Sequence, residues 1–311
     1  MQGAGACGAG VAALEAASVA LLAGGSVAAV LSVAGAPPRA GWLGAARELA
    51  RVASVRGKTA ELLGPPPGRG PLAALRALTV PQGWFTHFYA LGTGSLGFAL
   101  WRTYGCVPGN VSVALACLVA HAARRFLEAA FVQEFAPTAR QNVLGYLFGC
   151  CYYVALPVML LEGRPHLGCL CSPAAAGAAR PAAVLGRVLR SPRRLLGVSA
   201  YVWGSAEQSV AHYQLASLRR GRGGAPGRKL YSQPAGRLFD LVSCPHYLLE
   251  ILLYAGVLAV AAEGLWQPKA TLLLVWLGTN LGSAAHNTHT WYRRKFEGYP
   301  PGRKALVPYL W

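Results

Sequence analysis

The sequence predicts an all-α polytopic membrane protein of about seven transmembrane helices. Three observations carry that reading. Apolar runs close to 20 residues, the length that crosses a hydrocarbon core, recur along the chain. Only 13% of the residues are charged, about half the share usual in a soluble domain. The Lys and Arg residues collect in the segments between the runs, a pattern of membrane orientation. The net charge of +18 would otherwise suggest nucleic acid, but the basic residues fall in loops between the apolar runs, and no nucleic-acid partner is expected. A soluble Ala-rich helical protein is the competing class, and the spanning length of several runs argues against it.

Taken in order, the first run covers residues 11–34. No basic residue precedes it, so it reads as a retained span rather than a cleaved signal peptide. Residues 37–82 form a long loop. Within it, 44–63 is an amphipathic piece that lies on a membrane surface or covers a site, ended by the Pro65-Pro66-Pro67 break. Residues 84–101 are the second span, with aromatics at both ends. The third, 111–131, is interrupted by His121, Arg124, Arg125 and Glu128, and the fourth, 142–161, contains Pro157 as a kink. A loop over 163–194 follows. The fifth span, 195–218, carries Glu207, Gln208, His212 and Gln214. A basic loop, 219–245, leads to the sixth and seventh spans at 247–262 and 270–285, and a basic aromatic tail closes the chain at Trp311.

Seven spans place 21 of the 29 Lys and Arg residues on one side and 8 on the other, which puts the carboxyl terminus in the cytosol and the amino terminus in the lumen. The 163–194 loop is discordant, with six on the luminal side. The sequon Asn110-Val111-Ser112 is luminal but too close to the membrane to be used. Eight cysteines show no CxxC pairing and read as small buried hydrophobes.

The chemistry is expected near the end of the chain. His246, Glu250, Asn280, His286, Asn287 and His289 sit in or beside apolar runs, and the cost of exposing them to lipid turns them toward a bundle interior. Glu250 needs a partner, and His246 one turn earlier is the local candidate. His286 and His289 share a helix face but have no companion Cys or carboxylate at metal-ligand spacing, so no metal is expected. No GxGxxG, Walker loop, GxSxG or HExxH motif is present. A dinucleotide site would therefore be built from helix ends and cytosolic loops.

The tail WYRRKFEGYPPGRKALVPYLW and the upstream LFDLVSCPHYLLE resemble the C-terminal region of the steroid 5α-reductase family. RGKTAELL, VPQGWFTHFY, HAARRFLE and VWGSAEQSVAHYQLASLRR extend the resemblance, in order, over most of the chain. It implies one membrane-embedded domain over 1–311, with the family-specific part at about 200–311, and a cavity that opens to the cytosol and binds NADPH. By the same resemblance Gln208, His212, Arg219, Tyr231, His246, Glu250 and His289 stand at cofactor-binding positions. Each has a plain structural alternative: His212 as a bundle histidine, Arg219 as a topology anchor, Tyr231 as an interfacial aromatic. Steroid-reducing members carry a Gln-Glu pair and a tyrosine near the reacting carbonyl. Neither is clear here, and Ala122 occupies the tyrosine position. His87 and Tyr89 are the remaining candidates for the proton donor or carbonyl polariser, against a reading as interfacial aromatics.

That departure fits a long isoprenoid substrate and the polyprenol-reducing branch of the family. The expected reaction is NADPH-dependent reduction of the α-isoprene double bond of a polyprenol or polyprenal, in the endoplasmic-reticulum membrane. The product series leads to dolichol for protein N-glycosylation. Reduction of a 3-oxo-4-ene steroid is the first alternative and a non-catalytic lipid-binding scaffold the second. No obligate protein partner is expected.

Overall fold

The computed structural model describes residues 2–33, 42–64, 70–161, 180–220, 231–264 and 267–311. The proline break at 65–67 and parts of the 163–194 and 219–245 loops lie outside them.

The chain is mostly helical, and every apolar run is a helix. These are α1 (Gln2–Val33), α4 (Phe85–Thr103), α5 (Gly109–Leu127), α6 (Val143–Leu160), α8 (Pro192–Arg220), α9 (Pro245–Ala261) and α10 (Pro268–Lys295). Shorter pieces join them: α2 (Trp42–Ser54), α3 (Pro71–Ala77) and α7 (Pro181–Leu189). Ala12–Ser32 and Val143–Leu160 are long and apolar enough to cross a membrane, and Pro245–Ala261 is a shorter apolar helix. The charges that α5, α8 and α10 carry lower their hydropathy, and on α5 Arg124 and Arg125 belong to the site described below.

Glycine decides the closest helix crossing. Gly197 of α8 faces Gly256 of α9, and a Cβ on Gly256 would stand 2.5 Å from the Gly197 carbonyl oxygen. α4 packs on α5 and α6, while α1 lies against α2, α6 and α10. Leu22, Leu96, Leu115, Leu118, Leu253 and Tyr254 are buried in the shared core.

The structure corrects the loops. The 44–63 piece is not one helix: α2 ends at Ser54 and a 3₁₀ segment follows at Gly57–Leu63. Gly57 turns the chain with φ +53, and a Cβ there would meet Gln82 Oε1 at 2.4 Å. A two-stranded antiparallel pair, β1 (Thr79–Pro81) with β2 (Arg140–Asn142), sets Thr79 opposite Asn142. Three-residue strands carry no readable period. The 163–194 loop contains α7, started by Pro181 at its first position. α5 ends in a π-turn at Glu128–Val132, closed by the Gln133 amide donating to the Glu128 carbonyl.

At one end of the bundle, the Asn110 side-chain nitrogen is buried and donates to the Ala261 carbonyl. The sequon asparagine is thus engaged in packing. Cys106, in the turn between α4 and α5, is disulfide-bonded, its partner lying outside the described side chains. That corrects the reading of all eight cysteines as small apolar residues. Cys117, Cys150, Cys151 and Cys244 are free thiols. At the other end the tail folds back. The Ser243 amide donates to the Lys304 carbonyl, the Lys304 amide to Leu241, and Trp311 packs over Gly282 and His286.

Candidate active site

A cavity of about 850 Å³ lies among α1, α2, α4, α5, α6, α8, α9 and α10, a volume within the usual range for small-molecule sites. α2 lines it with Ala46, Leu49, Ala50 and Ala53, so the amphipathic piece covers a site. The flank built from α1, α6 and α10 is largely apolar, with Leu21, Ala28, Leu147, Phe148, Trp276 and Leu281, and Asn280 and Ser283 are its polar members. Gly25 lets α1 approach there, since a Cβ would stand 2.4 Å from Phe148 Cζ and 2.8 Å from Trp276 Nε1. Tyr152 and Phe148 stack on Trp276 at centroid distances of 4.3 and 5.7 Å.

The opposite flank is polar and comes from α4, α5, α8 and α9. The π-turn keeps Glu128 inside, where its carboxylate is shared by several donors. Arg124 Nη1 donates to Oε1 at 2.6 Å and Ser209 Oγ to the same oxygen at 2.8 Å. Arg125 Nη1 donates to Oε2 at 2.5 Å, and His212 Nδ1 stands 2.7 Å from it. Arg125 Nη1 is also 2.8 Å from His212 Nδ1. One nitrogen cannot both donate to Glu128 and accept from Arg125, so these two contacts are alternatives one proton apart. Arg125 Nη2 donates to Tyr89 Oη at 2.9 Å.

Glu250 is held from other helices. His121 Nε2 lies 3.1 Å from Oε1, and Gln208 Nε2 donates to Oε2 and, at 2.9 Å, to the His246 carbonyl. Gln208 is fixed in turn by Arg124 Nη2, which donates to its Oε1 at 2.5 Å. His246 is therefore not the partner of Glu250. Its ring packs on Tyr247 and His212 with centroids 4.2 and 5.6 Å away, and its Nδ1 is buried without a hydrogen-bond partner.

Of the sequence-predicted residues, Tyr89, Gln208, His212, Arg219, His246 and Glu250 line this cavity. Arg219 is exposed and donates to the Glu134 carbonyl. His87 is outside the lining, with Nδ1 3.0 Å from Tyr146 Oη. Tyr231 is outside it too, half-buried edge-on to Trp291 at 4.8 Å. His289 does not reach the cavity as expected; its Nδ1 is 2.7 Å from Ser243 Oγ, among the residues that hold the tail. Arg125, Glu128 and His121 were noticed only as interruptions of a span. Charges placed three and four apart inside an apolar run were the available signal.

Lys58 is a further cation, half-buried, that sequence reasoning passed over. Its Nζ sits 3.8 Å from the Tyr292 ring centroid and 4.8 Å from that of Trp291. Desolvation lowers the amine to about 7, and the Arg219 charge adds to the effect.

The donor set suits a dinucleotide and a polar lipid head. His246 Nδ1 and Gln141 Nε2 both border the cavity, buried and unpartnered, and each needs a group that the protein itself does not supply.

Residues 181–311 match the family described as 3-oxo-5-alpha-steroid 4-dehydrogenase. Among curated proteins, the chain is 30% identical to polyprenal reductase 1 of Oryza sativa subsp. indica, over 85% of this chain and 88% of that one. It is 31% identical to polyprenal reductase 1 of Arabidopsis thaliana, over 78% and 86%, and 28% identical to polyprenal reductase of Homo sapiens, over 76% and 80%.

Proposed function

The chain belongs to the steroid 5α-reductase family, and on that premise we propose that it reduces the α-isoprene double bond of polyprenal with NADPH, within the endoplasmic-reticulum membrane. The observation that carries the reading is the two-sided cavity. An apolar flank suited to an isoprenoid chain stands with a polar flank of Arg125, Gln208, His212, His246 and Glu250, in which Glu128 anchors Arg125 from behind and Gln208 donates to Glu250.

The aldehyde is the chemically suitable substrate, because its carbonyl accepts the electrons displaced when hydride adds at the β-carbon. A proton then reaches the α-carbon, and the lipid gains two hydrogens. NADPH, when bound, supplies the hydride. Gln208, His212, His246 and Glu250 are the residues that would hold its nicotinamide half, and Arg219 would meet a phosphate. Tyr89 is the donor to the carbonyl oxygen. It borders the cavity, whereas His87 is exposed and bound to Tyr146.

The seven long helices are the seven spans, with the carboxyl terminus cytosolic. Arg56, Gln82, Glu134 and Gln141 border the cavity from loops on the side richer in Lys and Arg, which supports an opening to the cytosol. The test is purified protein with NADPH and polyprenal, followed by the mass of the lipid. A gain of two hydrogens is expected. Turnover of a 3-oxo-4-ene steroid in its place moves the substrate to the alternative class, and absence of NADPH binding leaves a lipid-binding scaffold.

A further inference from the structure

Arg125 is buried, and burying a guanidinium costs several kcal/mol unless its hydrogen bonds are completed. Glu128 pairs it here, and the arrangement has a direction. Nη1 is anchored by Glu128 and faces His212, while Nη2 donates to Tyr89 Oη. The guanidinium also sits over the Tyr89 ring, 4.8 Å from its centroid. A phenol has one hydrogen to give. Because Arg125 brings only donors to the oxygen, that hydrogen cannot be spent on it. Among the described residues, no acceptor for it lies within hydrogen-bonding distance, and Tyr89 borders the cavity. The Tyr153 ring packs edge-on against the phenol ring at 5.8 Å.

We infer that Arg125 is a positioning residue that locks Tyr89 as a one-way hydrogen-bond donor toward the carbonyl oxygen of an α,β-unsaturated aldehyde. Glu128 acts one step further back, by holding Arg125. The inference rests on the functional reading above, and it adds what makes a tyrosine at this position effective. No bond to Tyr89 breaks: the phenol donates a hydrogen bond as negative charge develops on the oxygen, and Arg125 stabilises the phenol as it does so. Lysine cannot replace this, because its ammonium lacks the planar fork that reaches Glu128 and Tyr89 together.

The experiment uses the full-length protein in detergent with Arg125→Lys, Tyr89→Phe and the double variant. Each is assayed for kcat and KM with polyprenal, for NADPH affinity and for thermal unfolding. Tyr89→Phe is expected to lower kcat by about 100-fold, the scale of one well-placed donor, with NADPH affinity kept. Arg125→Lys should lose nearly as much, and the double variant little more than either, because both remove the same interaction. A second readout needs no turnover. Farnesal with a ¹³C-labelled carbonyl, bound without NADPH, should show a carbonyl stretch shifted to lower frequency. That shift should vanish in Tyr89→Phe and shrink in Arg125→Lys. An Arg125→Lys protein with wild-type kcat and carbonyl shift overturns the inference, and so do losses that multiply in the double variant. Wild-type protein that shows the carbonyl shift but never reduces polyprenal defeats the functional reading alone.

Discussion

Replacing Glu250 with Leu leaves two buried N–H groups without an acceptor, His121 Nε2–H and one of the two on the Gln208 amide. Each stranded donor costs about 1–3 kcal/mol, so the pair costs about 2–6 kcal/mol. Against a typical net stability of about 5–15 kcal/mol, that is a large fraction. Glu250→Gln keeps one accepting oxygen and turns the other into an NH₂ that faces a donor, so one bond survives and the cost is about half. Gln208 cannot rotate to repair the mismatch, because Arg124 holds its oxygen and the His246 carbonyl accepts from its nitrogen. Both variants remove the same charge, so the difference between them isolates the hydrogen bonds. Thermal unfolding in detergent should rank wild type above Gln and Gln above Leu, with NADPH affinity reduced in both. A Leu variant that melts with wild type would falsify the account of Glu250 as the shared acceptor.

Gly25→Leu drives a side chain into Phe148 and Trp276, and overpacking of about 1–3 kcal/mol should raise KM for the lipid about 5- to 150-fold while NADPH affinity holds; equal loss for both substrates would place the lipid elsewhere. Arg219→Ala should raise KM for NADPH about 10-fold, the lower end for an exposed phosphate contact, and leave the lipid KM alone; an unchanged NADPH KM reduces it to a topology anchor. The Lys58 amine, at about 7 when folded and 10.5 ordinarily, binds its proton less readily in the native state. Across that window the unfolded chain holds the extra proton, so stability rises with pH between the two values and the gain is absent below 7. Thermal unfolding at pH 7 and pH 9 should show that rise in wild type and lose it in Lys58→Met; the same slope in both proteins traces it to another group.

The helices were legible because an apolar run of spanning length admits few other folds, and all seven runs are helical. What the sequence hid was pairing across distance. Glu250 has His246 one turn away, yet it binds His121, 129 residues earlier in the chain. A one-dimensional pattern marks a polar residue as needing a partner but cannot say which helix brings one. The same limit separated His87 from Tyr89. Two residues apart on one helix, they point in directions that only packing against Tyr146 and Arg125 distinguishes. Lys58 escaped notice because its aromatic cage comes from the far end of the chain, at Trp291 and Tyr292.

The covalent bond at Cys106 makes the two ends of the bundle chemically unequal. α9 runs between them, about 25 Å at 1.5 Å per residue. Cys244, a free thiol, starts it, and Asn110, four residues beyond Cys106, is pinned where it finishes. A disulfide persists where the surroundings are oxidising. The bond at Cys106 therefore asks for oxidising surroundings at the Asn110 end of the bundle, whereas Cys244, fully buried, makes no such demand at the other. A host that synthesises the chain without such surroundings on the Cys106 side would leave that bond unmade.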